Sequence, residues 1–495
     1  MRHYISGMLF TTAFLFIPFF ISAQNQIDAL RYSRMQFGST ARSLATGGAF
    51  SALGADLSVL STNPGGLGLY RNGDINFTPA FYIRSVDSKY LDKNLSDSKV
   101  QFGFYNLGIV AVSQNGSSSP WKRHVISFGY NKLASFNTNS YFEGFNQQNS
   151  LLTNFVEQSQ GLSASTLSNN SAFDLNLAFQ TCAIDTSSDG NYYSGFPNAH
   201  VMQSRLFESR GSIGEWSFGY GGTLEEKLYL GASLNFPTIR YDEVSLYEES
   251  DIQHDSSLVC GADLDAITYR KDLLTKGNGI NLKFGMIVRP SDYVRLGIAI
   301  HTPTYFVMKD YYSSRFTSNF TDGSSYSEDS PAGFYQYNLT TPFRMLASVA
   351  FMFGQAGFLT GEYEYVDYAN AKLKAPDYSF SQENSAIKGQ YTSSHNVRLG
   401  AEAKLDNISL RFGASYAQSP YEGDSQSISE SNSRNTIGFS GGFGYKYENW
   451  YLDVGYAFNS SKEYYQPYTV NNGLSPVSLE EIKEHRLLIT TGWRF

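Results

Sequence analysis

From Asp74 onward the chain reads as one strand after another, and the connections between the strands alternate in length. Short ones fall at Leu224–Glu226, Arg289–Asp292, Gly354–Ala356, Asp406–Asn407 and Glu448–Asn449. Long polar ones lie between them, at Asn137–Gly211, Glu248–Ala262, Asp310–Gln336, Ala369–Gly389, Pro420–Arg434 and Ser461–Lys483. A soluble sandwich has no reason to sort its loops in this way. A transmembrane β-barrel does, with tight turns at its periplasmic end and long loops outside.

The strands repeat with a side-chain period of two. We place them near Ile75–Ser85, Lys99–Val112, Lys122–Phe136, Ser212–Gly221, Lys227–Tyr247, Asp263–Val288 and Tyr293–Lys309. The second set is Tyr337–Phe353, Gly357–Tyr368, Gln390–Leu405, Ile408–Ser419, Asn435–Tyr447, Trp450–Ser460 and Glu484–Phe495. In the last strand Leu487, Ile489, Thr491, Trp493 and Phe495 share one face, while Arg486, Leu488, Thr490, Gly492 and Arg494 share the other. Such a sheet must close in hydrocarbon, because an open edge leaves backbone groups unpaired at several kcal/mol each. The expected fold class is therefore all-β: a transmembrane antiparallel β-barrel of about 14 strands.

Five strands carry the same unit, apolar–charged–apolar–Gly: Leu282–Gly285, Val294–Gly297, Val397–Gly400, Leu410–Gly413 and Leu452–Gly455. Charge and glycine share one parity. With the apolar parity on lipid, Lys283, Arg295, Arg398, Arg411 and Asp453 point inward, and Arg344, Glu362, Glu364, Glu402 and Lys404 join them. A charge on the lipid side would cost about 2–4 kcal/mol at mid-membrane, which fixes the choice of face. Inward glycines widen the lumen, and a barrel of this size is too wide for its own side chains to fill.

The N-terminus supplies the filling. Arg2 and His3, the apolar run Met8–Ile21 and the small residues at Ser22 and Ala23 read as a secretory signal, residues 1–23. Residues 24–73 are too small and too Gly-rich for a core of their own. They hold weak helical character at Asp28–Phe37 and Ala41–Leu60, then a Pro turn, Asn63-Pro64-Gly65-Gly66. We expect this stretch to form a plug inside a barrel of residues 74–495. The longest loop, Asn137–Gly211, contains an amphipathic stretch, Leu151–Leu167, and enough Phe and Leu to pack on something or to present an apolar surface.

Aromatic residues are 16% of the chain, as 36 Tyr and 37 Phe against 4 Trp, and charged residues only 17%, which suits an aromatic-girdled barrel wall. The net charge of -8 argues against a nucleic-acid partner. The seven histidines are scattered without HExxH or GxSxG, so neither a metal, a cofactor nor catalysis is expected. Cys182 and Cys260 both fall in outer loops, where a disulfide is permitted.

Signal, small-residue plug, Asn-Pro turn, about fourteen strands and a terminal Phe together resemble the FadL/TodX family of outer-membrane transporters for long-chain fatty acids and other hydrophobic compounds. The sharpest matches are Ala41–Gly54, Asn63-Pro64 and Leu282–Pro303, with Gly65 standing where the family commonly has Ala. The resemblance implies an outer-membrane passive transporter, no enzyme, taking a hydrophobic small molecule from outer loops to lumen, gated by the plug turn Asn63, Pro64, Gly65 and Gly66, where Gly65 adds flexibility. It also implies a side exit into membrane lipid at the third strand, near Gly129 and Asn131. Arg295, Arg344 and Arg398 are candidates for a ligand carboxylate, with His301 at the pocket border. The competing reading pairs these arginines with Glu362, Glu364 and Glu402. The alternative function is a scaffold that binds an outer-membrane protein partner in a secretion or lipid-assembly complex.

Overall fold

The computed structural model describes residues 26–116, 118–169, 173–422, 434–471, 473 and 475–495. The expected signal and part of the expected connection Pro420–Arg434 lie outside the described residues. Fourteen strands of the described chain close into one antiparallel barrel. They run Asp74–Tyr90 (β1), Lys93–Gln114 (β2), Trp121–Ser135 (β3), Val201–Leu224 (β4), Leu228–Asp251 (β5) and Ala262–Ser291 (β6). β7 has two pieces, Val294–His301 and Tyr305–Phe320, and so has β8, Gly333–Thr340 and Arg344–Met352. Gly357–Asp367 (β9), Ser393–Leu405 (β10), Ile408–Ala417 (β11), Thr436–Tyr447 (β12), Trp450–Tyr465 (β13) and Ser478–Arg494 (β14) complete the wall.

Closure is made by β1 against β14, with Ile75 opposite Trp493, Phe77 opposite Thr491 and Phe81 opposite Leu487. Phe495 N–H donates to the Gly73 carbonyl at 3.0 Å, so both ends of the barrel sequence meet. The apolar parity faces out on every strand. Phe128, Phe218, Phe284, Leu296, Leu399, Phe412 and Trp493 are exposed, while Lys283, Arg344, Glu364, Arg398, Arg411 and Asp453 are buried on the inner side. No helix among the described residues is long and apolar enough to cross a membrane.

Several strands outlast their expected ends. β7 continues to Phe320 and turns back through Ser325–Asp329, where a loop over Asp310–Gln336 was expected. β13 likewise runs to Tyr465 and β14 starts at Ser478. The ladder persists beyond the membrane, but there neither face meets lipid, so the apolar alternation that reveals a strand fades while its backbone pairing does not. Conversely, β7 and β8 are each broken where one strand was expected. Pro303 and Pro342 have no N–H for the ladder. The two breaks lie side by side and are stitched by Thr341 N–H to the Thr304 carbonyl at 3.0 Å and by Thr304 N–H to Thr341 Oγ1 at 2.9 Å.

The outer loops form a core of their own. Leu151–Ser159 is a helix started by Ser150, whose side chain and that of Thr153 cap each other's backbone. Its Leu152 and Phe155 pack with Phe142, Leu177, Ile184, Val259, Leu264 and Phe316. Glu249, fully buried there, accepts from Leu151 N–H at 2.8 Å, Gln203 Nε2 at 2.7 Å and Tyr247 OH at 3.0 Å. Cys182 and Cys260 are joined by a disulfide, their Cα atoms 5.9 Å apart and 78 residues distant in sequence. Closing a loop of that length removes roughly 4 kcal/mol of chain entropy from the unlinked state. Replacing both cysteines by Ser is expected to speed protease cleavage within 147–200 on intact cells while leaving the barrel heat-modifiable on gels. Equal cleavage rates would show that packing alone holds the loops.

Candidate functional site in the barrel lumen

Residues 26–73 run down the inside of the barrel from the loop end to the turn end, and short polar side chains fix their path. Thr40 caps the helix Ala41–Ala45 by accepting from Ser43 N–H at 3.2 Å. Its hydroxyl donates to Asp56 Oδ1 at 2.9 Å, and that same oxygen caps the turn Leu57–Leu60 through Ser58 N–H. Asn63 repeats the device: Oδ1 accepts from Gly65 N–H at 3.0 Å, with Pro64 in the first helical position where a missing N–H costs nothing. Between these caps the residues are small. Gly47, Gly48 and Gly54 hold φ of +68°, +79° and +67°, conformations that other residues rarely adopt.

The wall meets this segment backbone to backbone. The glycines of the five repeated units are its seat. A methyl at Gly285 would lie 1.9 Å from Asn63 Oδ1, at Gly297 2.8 Å from the Ser51 carbonyl, and at Gly400 2.6 Å from the Thr46 carbonyl. At Gly413 it would lie 2.1 Å from Gly47 N, and at Gly455 2.4 Å from the Ala41 carbonyl. Gly65 and Gly66 belong to the same contact. Neither has positive φ; a methyl on Gly65 would come within 2.9 Å of Gly285 backbone, and one on Gly66 within 2.9 Å of Gly54 Cα. Close approach, rather than the flexibility expected of the turn, is what requires glycine there.

The charges of the same units frame the seat. Arg398 donates to Glu362 at 2.9 Å and also to Glu364, which Arg344 shares. Arg411 bridges Glu402 at 2.7 Å and Asp453 at 2.6 Å. Lys283 pairs with Glu215, both fully buried. Several members reach the segment itself: Ser51 N–H donates to Glu362 at 3.0 Å, Arg344 to the Ser33 carbonyl at 3.1 Å, and Ala41 N–H to Thr490 Oγ1 at 2.8 Å. Arg42 pairs with Glu402 at 3.4 Å. Burial works against the Arg42 charge, but Glu402, Asp56 and Asp453 outweigh it and hold its pKa above the ordinary guanidinium value. Removing one partner from such a buried pair costs about 3–5 kcal/mol, because the other is left charged and dry.

The three arginines singled out for a ligand carboxylate, and His301 at the expected pocket border, have protein partners in this arrangement. Arg344 and Arg398 come together over the Phe37 ring, at 5.9 and 4.5 Å, and share Glu364. Arg295 donates to the Leu53 carbonyl at 2.8 Å, and His301 Nε2 lies 2.6 Å from the Thr62 carbonyl. At the third strand, Gly129 and Asn131 are both still in the ladder, opposite Gly108 and Asn106. Asn131 ties the lumen segment to the wall, through the Ser39 hydroxyl at 2.7 Å and the Leu57 carbonyl at 3.3 Å. Beyond this pair β2 leaves β3. Its stretch from Lys93 to Phe104 pairs with β1 and not with β3, and Lys99 spans the parting to Asn139 at 2.8 Å.

Sequence reasoning missed Glu215, Asp56, Ser51 and Thr490 as members of the site. Glu215 had a readable signal: it is the acid on the parity opposite Trp216, Phe218 and Tyr220. Asp56 had one too, as an Asp two residues before Ser58, whose N–H it caps; Ser51 and Thr490 had none, because their partners are hundreds of residues away.

No family model matches this chain, and no curated protein matches it. Solved structures do. The monoaromatic hydrocarbon channel CymD superposes with a TM-score of 0.51 at 14% identity, over 93% of this chain and 99% of its own. The Pseudomonas putida toluene transporter TodX gives 0.52 at 13%, over 94% and 100%. The chain has the FadL/TodX fold. A Pseudomonas aeruginosa FadL homologue also gives 0.52, at 12% identity over 94% and 100%.

The glycine seat can be tested directly. Gly413→Val is expected to push the segment off the wall and raise ion conductance in planar bilayers, with the barrel still folded. Gly441→Val, on the outward parity with its nearest neighbour at 3.5 Å, is expected to change neither. Equal conductance in the two variants would refute the seat.

Proposed function

We propose that this barrel is an outer-membrane passive transporter of hydrophobic small molecules, with residues 26–73 as its gate. The observation that carries the reading is a division of the lumen. Its turn-end half is polar and ionic around the seat. In its loop-end half Phe136, Tyr241, Phe306, Met308, Tyr337 and Tyr368 pack about Leu30 and Tyr32, with Arg31 over the Tyr241 ring at 4.3 Å and paired to Asp28. An aromatic cluster of this size under the outer loops suits an apolar ligand. The named channels with this fold, for monoaromatic hydrocarbons and toluene, agree with that class.

In this reading the gate is the turn at Asn63. Its Nδ2 donates to the Ser51 carbonyl at 2.8 Å and to the Met286 carbonyl at 3.2 Å, so one side chain fastens the turn to itself and to the wall. Two ways out exist. One passes the displaced segment toward the turn end. The other is sideways, above Asn131, where β2 has parted from β3 and Val100, Phe102 and Phe104 face outward.

A reversible tether tests gating. A methyl at Gly442 would lie 2.8 Å from Ala45 Cβ, within a small shift of disulfide distance. Ala45→Cys with Gly442→Cys is expected to abolish uptake of labelled oleate into host cells lacking their own fatty acid channel, and reductant is expected to restore it. Each single variant, treated alike, controls for reduction of Cys182–Cys260. Full uptake by the oxidised double variant would remove the gate. The closed lumen and the rigid, disulfide-tied outer loops favour a second reading, a scaffold for a protein partner. A barrel that never transports oleate but purifies with a stoichiometric protein would establish it.

A further inference from the structure

On the outer face of the wall, three neighbouring strands change character at the same height. Along β5 the outward residues Leu230, Leu234 and Phe236 are exposed and apolar, and Thr238 and Arg240 follow. Along β6 the run is Phe284, Leu282 and Ile280, then Asn278 and Lys276. Along β7 it is Tyr305 and Val307, then Lys309. Lys276 stands directly opposite Arg240 on one side and Lys309 on the other, so the three cations form one row across the ladder. From Leu230 to Arg240 the strand climbs about 25 Å, at about 3.3 Å per residue and a tilt of about 40°, which is the height of a barrel's apolar band. The row therefore borders that band on the side of the outer loops.

Like charges directly opposite each other destabilise a sheet. Farther out on β6 and β7, Arg270 faces Arg315, and each has its own carboxylate, Asp272 at 2.7 Å and Asp329 at 2.6 Å. The row at the rim is not neutralised in this way. Arg240 reaches Asp242 only at 3.9 Å, and the nearby Arg210 is paired with Glu208 at 3.5 Å. Lys276 lies 5.6 Å from the centre of the Tyr311 ring, and neither it nor Lys309 has an ion-pair partner among the described residues.

We propose that this row is a docking surface for the phosphorylated headgroup of a lipid in the outer leaflet. The proposal needs the barrel to stand in a membrane with its long loops outside, and it is independent of transport. Neighbouring strands lie about 4.8 Å apart, so adjacent cations can close on one phosphate group. Acyl chains below it lie along Phe236, Ile280 and Val307. Charge-assisted bonds from ammonium and guanidinium groups to phosphate oxygens then supply the counter-charge that the sheet lacks.

The test is native mass spectrometry and thermal unfolding of the purified full chain in nonionic detergent. The probes are diphosphorylated lipid A, the same lipid after phosphatase treatment, and inorganic phosphate. Lipid A is expected to bind as a discrete adduct and to raise the melting temperature, with an effect that shrinks as salt rises. Lys276→Gln with Lys309→Gln is expected to weaken its binding about tenfold. Lys446→Gln, exposed at the turn end, is expected to leave it unchanged. Without lipid the double variant is expected to melt no lower than the parent, because it relieves like-charge contacts, and this also checks that it is folded. Equal binding by parent and double variant, or equal binding of the phosphatase-treated lipid, would show lysines that merely reach into water and would overturn the docking surface. Displacement of lipid A by equimolar inorganic phosphate would show a free-anion site and overturn the lipid assignment.

Discussion

Contact between the backbone of residues 41–66 and the wall glycines is the interaction on which the remaining structure depends. A barrel of fourteen strands encloses more space than inward side chains can fill. Here the space is closed by bringing a second piece of backbone against the wall, which is possible only where the wall has no Cβ. Gly285, Gly297, Gly400, Gly413 and Gly455 each meet a main-chain atom or the Asn63 amide of the segment. The small residues of the segment are the complementary half of that arrangement.

The ionic residues follow from the same constraint. A backbone laid against glycines presents its own N–H and C=O groups to a dry interface, and each needs a partner. Glu362, Thr490, Arg295, Arg344 and His301 supply them for Ser51, Ala41, Leu53, Ser33 and Thr62. The charges of Glu362 and Arg344 are balanced by Arg398 and Glu364 on neighbouring strands. The turn-end half of the lumen is thus fixed by directional bonds, whereas the loop-end half adds a large apolar cluster, whose contacts are less directional. Breaking the ionic ring would strand buried charges.

Strand breaks mark the junction of the two halves. Pro303 and Pro342 interrupt β7 and β8 beside His301 and Arg344, and β2 parts from β3 just past Asn131. Asn281 lies at this level, donating to Thr304 Oγ1 at 2.9 Å and to Glu215 at 3.4 Å. Irregular wall is tolerated there because side chains and the lumen segment take up the freed backbone groups.

The sequence by itself determined the barrel. Period-two strands, sorted turn lengths and the parity of Lys283, Arg398 and Arg411 define which face meets lipid, since a charge on the wrong face is too costly to place. It also placed the glycines of the repeated units on the lumen face. What those glycines meet was decided only by tertiary structure. The contacts of Gly413 with Gly47 and of Gly285 with Asn63 join positions hundreds of residues apart, and a glycine carries no side chain to announce its partner. The strand extensions past the membrane were equally illegible, because backbone pairing leaves no alternation where both faces lack lipid. For the same reason the sequence showed the arginines pointing inward but left open whether they await a ligand; their carboxylate and carbonyl partners exist only once the strands are side by side.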